Sequence, residues 1–250
     1  MERNLELMGQ RIDWDMNYDV VVVGYGYAGG WAAMTADDSG ASVVIFEKMR
    51  HFGGNSILAG GGCAYGTDYS ATLAHLEATS GGATDQSILE VYAREMCTLK
   101  DTLDEFAATV GFKTRKARGG PTYPFPGAEA ISILDFKPTD QYVEFPWLTG
   151  ASNGAVHFWI LHENISRRAI PQFYDSPVER LITDEDGSVI GVTVRSGGKE
   201  LQVRANHGVV MATGGFEHNA NLITQHMRLR KAYAMSSLGN TGDGVLRTRR

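Results

Sequence analysis

The sequence predicts an α/β protein built on a parallel sheet, and three observations favour that fold class. The runs of β-branched and apolar residues at 18–23 and 41–46 lack the alternation of half-exposed strands, so they are typical of strands buried on both faces. The alanine-rich segment 28–39 between them has helical character, and Gly40 follows it as a common helix terminator. Strand, helix and strand in about thirty residues make a βαβ unit, which requires parallel strands.

Composition limits the classes of protein that fit. The chain has 250 residues, of which 43% are hydrophobic and 21% are charged, so it folds around a core of its own. Its formal net charge of −6 argues against a nucleic-acid partner. Cys63 and Cys97 lack C-x-x-C spacing, and we expect two buried thiols in a reducing compartment. We find no run of about 18 apolar residues, and we predict a cytoplasmic protein without a membrane span.

The turn after the first strand carries a dinucleotide-binding fingerprint, G-x-G-x-x-G, in the sequence Gly24-Tyr25-Gly26-Tyr27-Ala28-Gly29. Gly24 allows the tight turn, Gly26 lets the backbone approach a pyrophosphate, and Gly29 permits close packing of helix on strand. The helix N-terminus adds unpaired N–H groups and the positive end of a dipole. The fingerprint therefore predicts a Rossmann-like domain that binds a dinucleotide.

Glu47 lies at the end of the second strand, where a carboxylate accepts both ribose hydroxyls of an adenosine. The same charge repels a 2′-phosphate, so NADP is disfavoured. A second interpretation is that Glu47 only caps the following helix. At this point the fingerprint leaves both NAD and FAD open.

The rest of the chain supports one domain from 18 to 250 after a lead-in at 1–17. Apolar spacing predicts one long helix, or two helices in series, between Asp85 and Gly111. The segment 112–150 is rich in proline, glycine and aromatic residues, and we expect a long loop over the surface.

Strand-like stretches separated by turn residues predict a small antiparallel β-meander insert at 178–204. The apolar run at 208–212 then returns to the parallel sheet, because it repeats the pattern of a buried strand.

Three further glycine clusters follow the fingerprint in order: Gly53-Gly54-Asn55-Ser56 with Gly60-Gly61-Gly62, then Ala212-Thr213-Gly214-Gly215-Phe216, then Asn240-Thr241-Gly242-Asp243-Gly244. Together they resemble the FAD-contact motifs of the fumarate reductase/succinate dehydrogenase flavoprotein superfamily, which includes 3-ketosteroid dehydrogenases. The resemblance covers 18–66 and 171–244. It implies a glutathione-reductase-type FAD-binding domain.

The resemblance also implies which residues contact FAD. Glu47 and Lys48 hold the adenosine half, and Val178 contacts the adenine through its backbone, while Asn55 and Ser56 approach the pyrophosphate and isoalloxazine. The full predicted set is Gly24, Gly26, Tyr27, Ala28, Gly29, Glu47, Lys48, Gly53, Gly54, Asn55, Ser56, Gly60, Gly61, Gly62, Val178, Ala212, Thr213, Gly214, Gly215, Asn240 and Asp243. The sequence identifies no catalytic residue, and the histidine spacing predicts no metal site.

The resemblance bears on FAD attachment and on the extent of the chain. Respiratory members attach FAD covalently through a histidine where this chain carries Asn55, so we expect noncovalent FAD, with His51 as the alternative attachment site. In members of this superfamily the motif at 240–244 lies near mid-chain. We therefore expect most of the capping domain to be absent, so that either the chain is a truncated product or a second chain completes the fold.

The resemblance implies an FAD-dependent oxidoreductase that moves a hydride between flavin N5 and a carbon of a C–C bond activated by a carbonyl. Aromatic residues at 119–147 favour an apolar carbonyl substrate such as a 3-ketosteroid, with Tyr123 as a candidate proton carrier. Three alternatives stay open at this point. They are a noncatalytic FAD-binding fragment or subunit, an enoate reductase of the fumarate or urocanate type, and an NAD-dependent dehydrogenase.

Overall fold

The structure is a computed structural model that describes residues 6–7, 10–119, 123–138, 153–230 and 232–247. The helices are α1 (Tyr27–Asp38), α2 (Tyr69–Ser80), α3 (Gln86–Ala108), α4 (Asn153–Arg167), α5 (Ala220–Leu222) and α6 (Asp243–Arg247). The strands are β1 (Glu6–Leu7), β2 (Gln10–Arg11), β3 (Met16–Val23), β4 (Val43–Phe46), β5 (Cys63–Gly66), β6 (Phe112–Gly119), β7 (Ile131–Pro138), β8 (Gln172–Phe173), β9 (Val178–Thr183), β10 (Val189–Ser196) and β11 (Lys199–Met211).

The chain divides into two compact units, where we predicted one domain over 18–250. The first unit comprises Met1–Leu58 and Leu161–Arg250, and the second comprises Ala59–Ile160. In the part of the chain that the structure describes, no helix has the length and apolarity needed to cross a membrane.

A six-stranded sheet forms the centre of the first unit, with strand order β8-β4-β3-β11-β10-β9. The strands β8, β4, β3 and β11 are parallel, with Val21 opposite Val44 on one side and Val209 on the other. This sheet confirms the predicted α/β class. The valines at positions 21, 22 and 44 have no exposed surface, as the non-alternating apolar runs predicted.

Helix α1 packs closely because small residues face its neighbours. A Cβ added to Gly30 would lie 2.6 Å from a methyl carbon of Leu161. Gly40 takes a φ of +85° just after the helix, as expected for a residue that ends a helix in the left-handed region.

The predicted β-meander exists as β9, β10 and β11, which are antiparallel neighbours. The meander continues the central sheet, because β11 also pairs with β3. The strand predicted at 208–212 is the end of β11, and only a register irregularity between Ala205 and Gly208 interrupts that strand.

The second unit contains α2, α3 and an antiparallel sheet of order β5-β7-β6. The predicted loop at 112–150 is therefore wrong over β6 and β7, while 120–122 and 139–150 lie outside the described residues. Pro124 and Pro126 lie in the connection between these strands and Pro138 ends β7, while Pro121 and Pro146 lie outside the described residues. The exposed basic residues on β6 made the alternation of buried and exposed positions hard to recognise in the sequence, although Phe112 on this strand is buried.

Several smaller expectations were also tested. The long helix is confirmed as α3, although Asp85 makes no side-chain capping bond. Cys63 and Cys97 are free thiols, and both are half-buried rather than fully buried. The lead-in contains β1 and β2, which pair as a hairpin, and it includes the first residues of β3.

Candidate cofactor site

The carboxyl ends of three neighbouring parallel strands meet at one edge of the first unit's sheet. Gly24 follows β3 and donates its N–H to Phe46 O at 2.8 Å, while Ala212 follows β11 and donates to Val23 O at 2.8 Å. A cavity of about 290 Å³ lies at this edge. Open α/β sheets bind ligands beyond the carboxyl ends of their strands, so this edge is where a cofactor site is expected.

Glycine is required at two positions of the fingerprint loop. Gly24 has a φ of +101°, and a Cβ there would stand 2.4 Å from Ala212 O. A Cβ on Gly29 would stand 2.0 Å from Gly24 O. At Gly26, by contrast, the nearest neighbour of an added Cβ is Ser56 Oγ at 3.6 Å. Gly24 and Gly29 therefore allow tight packing, and Gly26 leaves the backbone open to an approaching group.

The N-terminus of α1 faces the cavity, and a distant hydroxyl caps it. Gly26 is the N-cap residue and offers no side chain, but Tyr27 donates its backbone N–H to Ser56 Oγ at 3.0 Å. A hydroxyl oxygen that accepts one hydrogen bond still donates its own proton. Ser56 therefore adds a donor beside the positive end of the helix dipole.

Glu47 is buried, with 7% of its surface exposed, and its carboxylate joins two turns. Oε2 accepts from Tyr25 N and Oε1 accepts from Met49 N, both at 2.8 Å. Residues 48–52 form bends, so the alternative interpretation of Glu47 as a helix cap is wrong. Burial, with a smaller contribution from the Glu47 charge, raises the pKa of the Tyr174 phenol to about 12.

Lys48 connects the end of β4 to the start of α6. Its Nζ donates to Thr241 Oγ1 and to Asp243 Oδ2, each at 2.7 Å. Thr241 Oγ1 in turn donates to Asp243 Oδ1 at 3.0 Å. The motif at 240–244 is thus fixed to the chain that follows β4.

An aromatic cluster packs against the fingerprint loop through the side chain of Tyr25. Tyr25 is fully buried, and its hydroxyl lies 3.0 Å from His162 Nδ1. The ring of Phe52 stacks on His162 with centroids 4.1 Å apart. Burial raises the pKa of Tyr25 and lowers the pKa of His162, so both groups are neutral near pH 7.

The structure brings most of the predicted site residues together. Sixteen of them line the cavity: Gly24, Gly26, Tyr27, Ala28, Glu47, Lys48, Gly54, Asn55, Ser56, Val178, Ala212, Thr213, Gly214, Gly215, Asn240 and Asp243. Gly29 and Gly53 serve packing and turn geometry instead, and Gly53 donates its N–H to Tyr25 O at 2.8 Å. Gly60, Gly61 and Gly62 belong to the second unit and do not line this cavity.

Sequence reasoning missed several residues that line the cavity. They are Val23, Tyr25, Phe46, Met49, Met211, Ser237 and Gly239. Most of them directly adjoin a motif residue, so position beside a motif was the available signal. Ser237 has no such neighbour, because Leu238 and Gly239 separate it from Asn240.

The residues present fit a dinucleotide that carries a pyrophosphate and a ribose. Backbone N–H groups at the start of α1 and the Ser56 hydroxyl supply donors for phosphate oxygens. Each carboxylate oxygen of Glu47 accepts one backbone N–H and keeps a lone pair for a ribose hydroxyl. The bare backbone at Gly26 leaves room for the phosphates to approach.

Comparison with known proteins identifies relatives of this arrangement. The acrylate reductase flavoprotein subunit of Shewanella woodyi is 28% identical over 257 residues, which cover 94% of this chain and 46% of the relative. The fumarate reductase (cytochrome) of Shewanella frigidimarina is 30% identical over 239 residues, which cover 91% of this chain and 38% of the relative.

Solved structures share the fold. The 3-ketosteroid-Δ4-(5α)-dehydrogenase of Rhodococcus jostii, in complex with 4-androstene-3,17-dione, has a TM-score of 0.77 and 26% identity over 94% of this chain and 53% of that one. The chain spans about half the length of that structure and less than half of the two reductases. The family model described as FAD binding domain matches residues 19–248. The chain therefore belongs to the FAD binding domain family of flavoproteins, alongside fumarate reductases and 3-oxosteroid dehydrogenases, and it binds FAD.

Proposed function

We propose that the chain is the FAD-binding part of an oxidoreductase that transfers a hydride between the flavin and a carbon of a C–C bond next to a carbonyl. The observation that carries this proposal is the cavity at the strand ends, which sixteen predicted site residues line. FAD, when bound, supplies the hydride chemistry. The residues of this chain bind and orient the cofactor.

The N-terminus of α1 and the Ser56 hydroxyl bind the pyrophosphate in this proposal. Tyr27 N and Ser56 Oγ are already 3.0 Å apart, so the hydroxyl is held beside the helix end. The positive end of the helix dipole faces the phosphates and stabilises their charge. The absence of a side chain at Gly26 lets the phosphates contact the backbone at the helix N-terminus.

Glu47 binds the ribose of the adenosine half. Its carboxylate is fixed by Tyr25 N and Met49 N, so the side chain loses little freedom when the cofactor binds. A carboxylate accepts hydrogen bonds from both ribose hydroxyls and repels a 2′-phosphate.

Noncovalent attachment of FAD is part of the proposal, because the amide of Asn55 is not a nucleophile. Asn55 Oδ1 accepts from Ser237 N at 2.6 Å, which uses this side chain as a structural link. Acid precipitation of the FAD-loaded chain should leave a colourless pellet and a yellow supernatant. A yellow pellet would show that FAD is covalently bound. His51 would then be the favoured attachment site, because it is exposed and close to Asn55 in the sequence.

The substrate we favour is an apolar carbonyl compound of the 3-ketosteroid class. The support is the aromatic composition of 119–147 and the steroid-bound structural relative. A reductase acting on a small enoate is the second candidate, because acrylate and fumarate reductases are among the curated relatives.

Anaerobic spectroscopy of the FAD-loaded chain separates these candidates. Bleaching of the flavin band by a saturated 3-ketosteroid supports the dehydrogenase. Return of the band after chemical reduction and addition of acrylate or fumarate supports the enoate reductase. Bound FAD that responds to none of these compounds contradicts activity of this chain alone. It then favours a noncatalytic FAD-binding fragment or subunit that a second chain completes.

A further inference from the structure

The carboxylate of Glu217 joins two asparagines that line the cavity from distant parts of the chain. Asn240 Nδ2 donates to Glu217 Oε2 at 3.0 Å, and Asn55 Nδ2 donates to Glu217 Oε1 at 3.4 Å. We propose that Glu217 is a positioning residue that orients both amides and so holds the cavity wall in the form that binds FAD. This inference rests on the proposed function, because it takes FAD as the occupant.

The two hydrogen bonds determine which way each amide faces. A carboxylate only accepts, so both asparagines must present their NH₂ groups to Glu217. Their carbonyl oxygens then face elsewhere. Asn55 Oδ1 accepts from Ser237 N at 2.6 Å, and Asn240 Oδ1 lies 2.8 Å from the place that a Cβ on Gly214 would occupy. A neutral amide at position 217 replaces one of the two accepting oxygens with an NH₂ group, which cannot accept, so one of the two asparagines faces a donor and loses its hydrogen bond.

The position of Glu217 depends on the glycine pair before it. A Cβ on Gly215 would lie 2.4 Å from Glu217 Oε2, so the carboxylate folds back over bare backbone. Gly215, Asn55, Ser237 and Asn240 all line the cavity. Glu217 thus connects the loop after β4, the turn after β11 and the segment before α6, although it does not itself line the cavity.

We expect Glu217 to affect the affinity for FAD more than the stability of the folded chain. Glu217 is exposed, and Glu217→Gln keeps its length and an oxygen that can accept from the buried Asn240, so we expect this substitution to change the stability of the FAD-free chain very little. Loss of one of the two charge-assisted bonds frees an amide that faces the cofactor. We expect Glu217→Gln to raise the FAD dissociation constant about tenfold.

The first test is titration of the FAD-free chain with FAD, followed by quenching of flavin fluorescence. Glu185→Gln is the matched control, because Glu185 is also exposed and lies in the turn between β9 and β10. We expect Glu185→Gln to bind FAD like the wild-type chain. Thermal unfolding of the FAD-free proteins should give similar midpoints for the wild-type chain, Glu217→Gln and Glu185→Gln. Glu217→Asp, which keeps the charge but shortens its reach, provides a second variant, for which we expect a smaller loss of affinity.

The second test exchanges the polarity of one hydrogen bond. In Asn55→Asp alone, two carboxylates face each other, and we expect FAD binding to weaken. In the double variant Asn55→Asp with Glu217→Gln, the new glutamine amide donates to the new aspartate and its oxygen accepts from Asn240. The new aspartate still accepts from Ser237 N. If the two substitutions acted independently, their fold-losses in FAD affinity would multiply. We expect the double variant to bind FAD at least about fivefold more tightly than that product predicts.

Two results would overturn the inference while leaving FAD binding intact. One is a Glu217→Gln chain that binds FAD as tightly as Glu185→Gln. The other is a double variant whose loss equals the product of the single losses, because that result shows no coupling between the two side chains. A wild-type chain that does not bind FAD would overturn the proposed function together with this inference.

Discussion

At the scale of single residues, the site depends on positions where a side chain does not fit. Gly24 combines a left-handed φ with a backbone oxygen 2.4 Å from its missing Cβ. Gly40 also has a left-handed φ, but an added Cβ there meets nothing within 4 Å. The pair therefore separates conformational strain, which both positions share, from steric clash, which only Gly24 suffers.

This difference gives a prediction for alanine substitutions. Gly40→Ala should lower the free energy of unfolding by about 1 kcal/mol, the cost of a left-handed residue. Gly24→Ala should cost about 2 kcal/mol more, because its Cβ displaces the backbone at Ala212. Urea unfolding of both variants measures this difference, and FAD titration should show weakened binding only for Gly24→Ala. Equal stability of the two variants would contradict the packing described here.

A buried histidine in the second unit gives a pH prediction. Burial, partly offset by the nearby Asp135 charge, lowers the pKa of His157 to about 4. An unfolded histidine titrates near pH 6.5, so the unfolded chain binds more protons between these values. His157 therefore costs no stability above pH 6.5, and as the pH falls from 6.5 the free energy of unfolding decreases, with a loss of about 3 kcal/mol near pH 4.

Urea unfolding between pH 7 and pH 4 measures this loss. His157→Gln removes the titrating group, and we expect the free energy of unfolding of this variant to change less across the same range. The informative quantity is the change of the free energy of unfolding with pH, because the substitution also shifts the stability by a constant amount at every pH. An identical slope in both proteins would contradict the assignment of this acid sensitivity to His157.

At the scale of secondary structure elements, one ion pair connects β4 with α6. The side chains of Lys48 and Asp243 are 24% and 23% exposed, so solvent screens their attraction only in part. The exposed pair Arg180 and Glu200, with 67% and 46% exposure, is a matched comparison between β9 and β11.

Double-mutant cycles of unfolding should distinguish these two pairs. We expect a coupling energy of about 1 kcal/mol between Lys48→Met and Asp243→Asn, because each charge is partly shielded from water. For Arg180→Met and Glu200→Gln we expect a coupling close to zero. Coupling that is no larger for the first pair than for the second would show that the pair does not fix α6 to the sheet.

The same scale shows which elements the sequence predicts. Val21 and Val44 lie in runs without polar interruption, and burial on both faces leaves that mark in the sequence. On β6, Lys113 and Arg115 occupy exposed positions beside buried Phe112, so average composition suggested a loop. Strands with one exposed face and charged residues are hard to recognise, because their partners are distant in sequence.

At the scale of the whole molecule, the order of the glycine motifs predicted the family and most of the cavity. Gly60, Gly61 and Gly62 lie in the second compact unit and do not line this cavity, so their contact with FAD stays a prediction. The sequence prediction missed Glu217, whose partners are 162 and 23 residues away. Long-range hydrogen bonds of this kind leave no periodic pattern, so only the folded chain reveals them.

We infer that the ends of β3, β4 and β11 bind one FAD between them. Titration of the purified, FAD-free chain with FAD is the decisive experiment, with binding followed by flavin fluorescence and the ratio of FAD to protein measured in the isolated complex. We predict saturable binding of one FAD per chain, together with weakened binding in Gly24→Ala. A chain that is folded by circular dichroism, yet stays colourless after incubation with excess FAD and gel filtration, would contradict it.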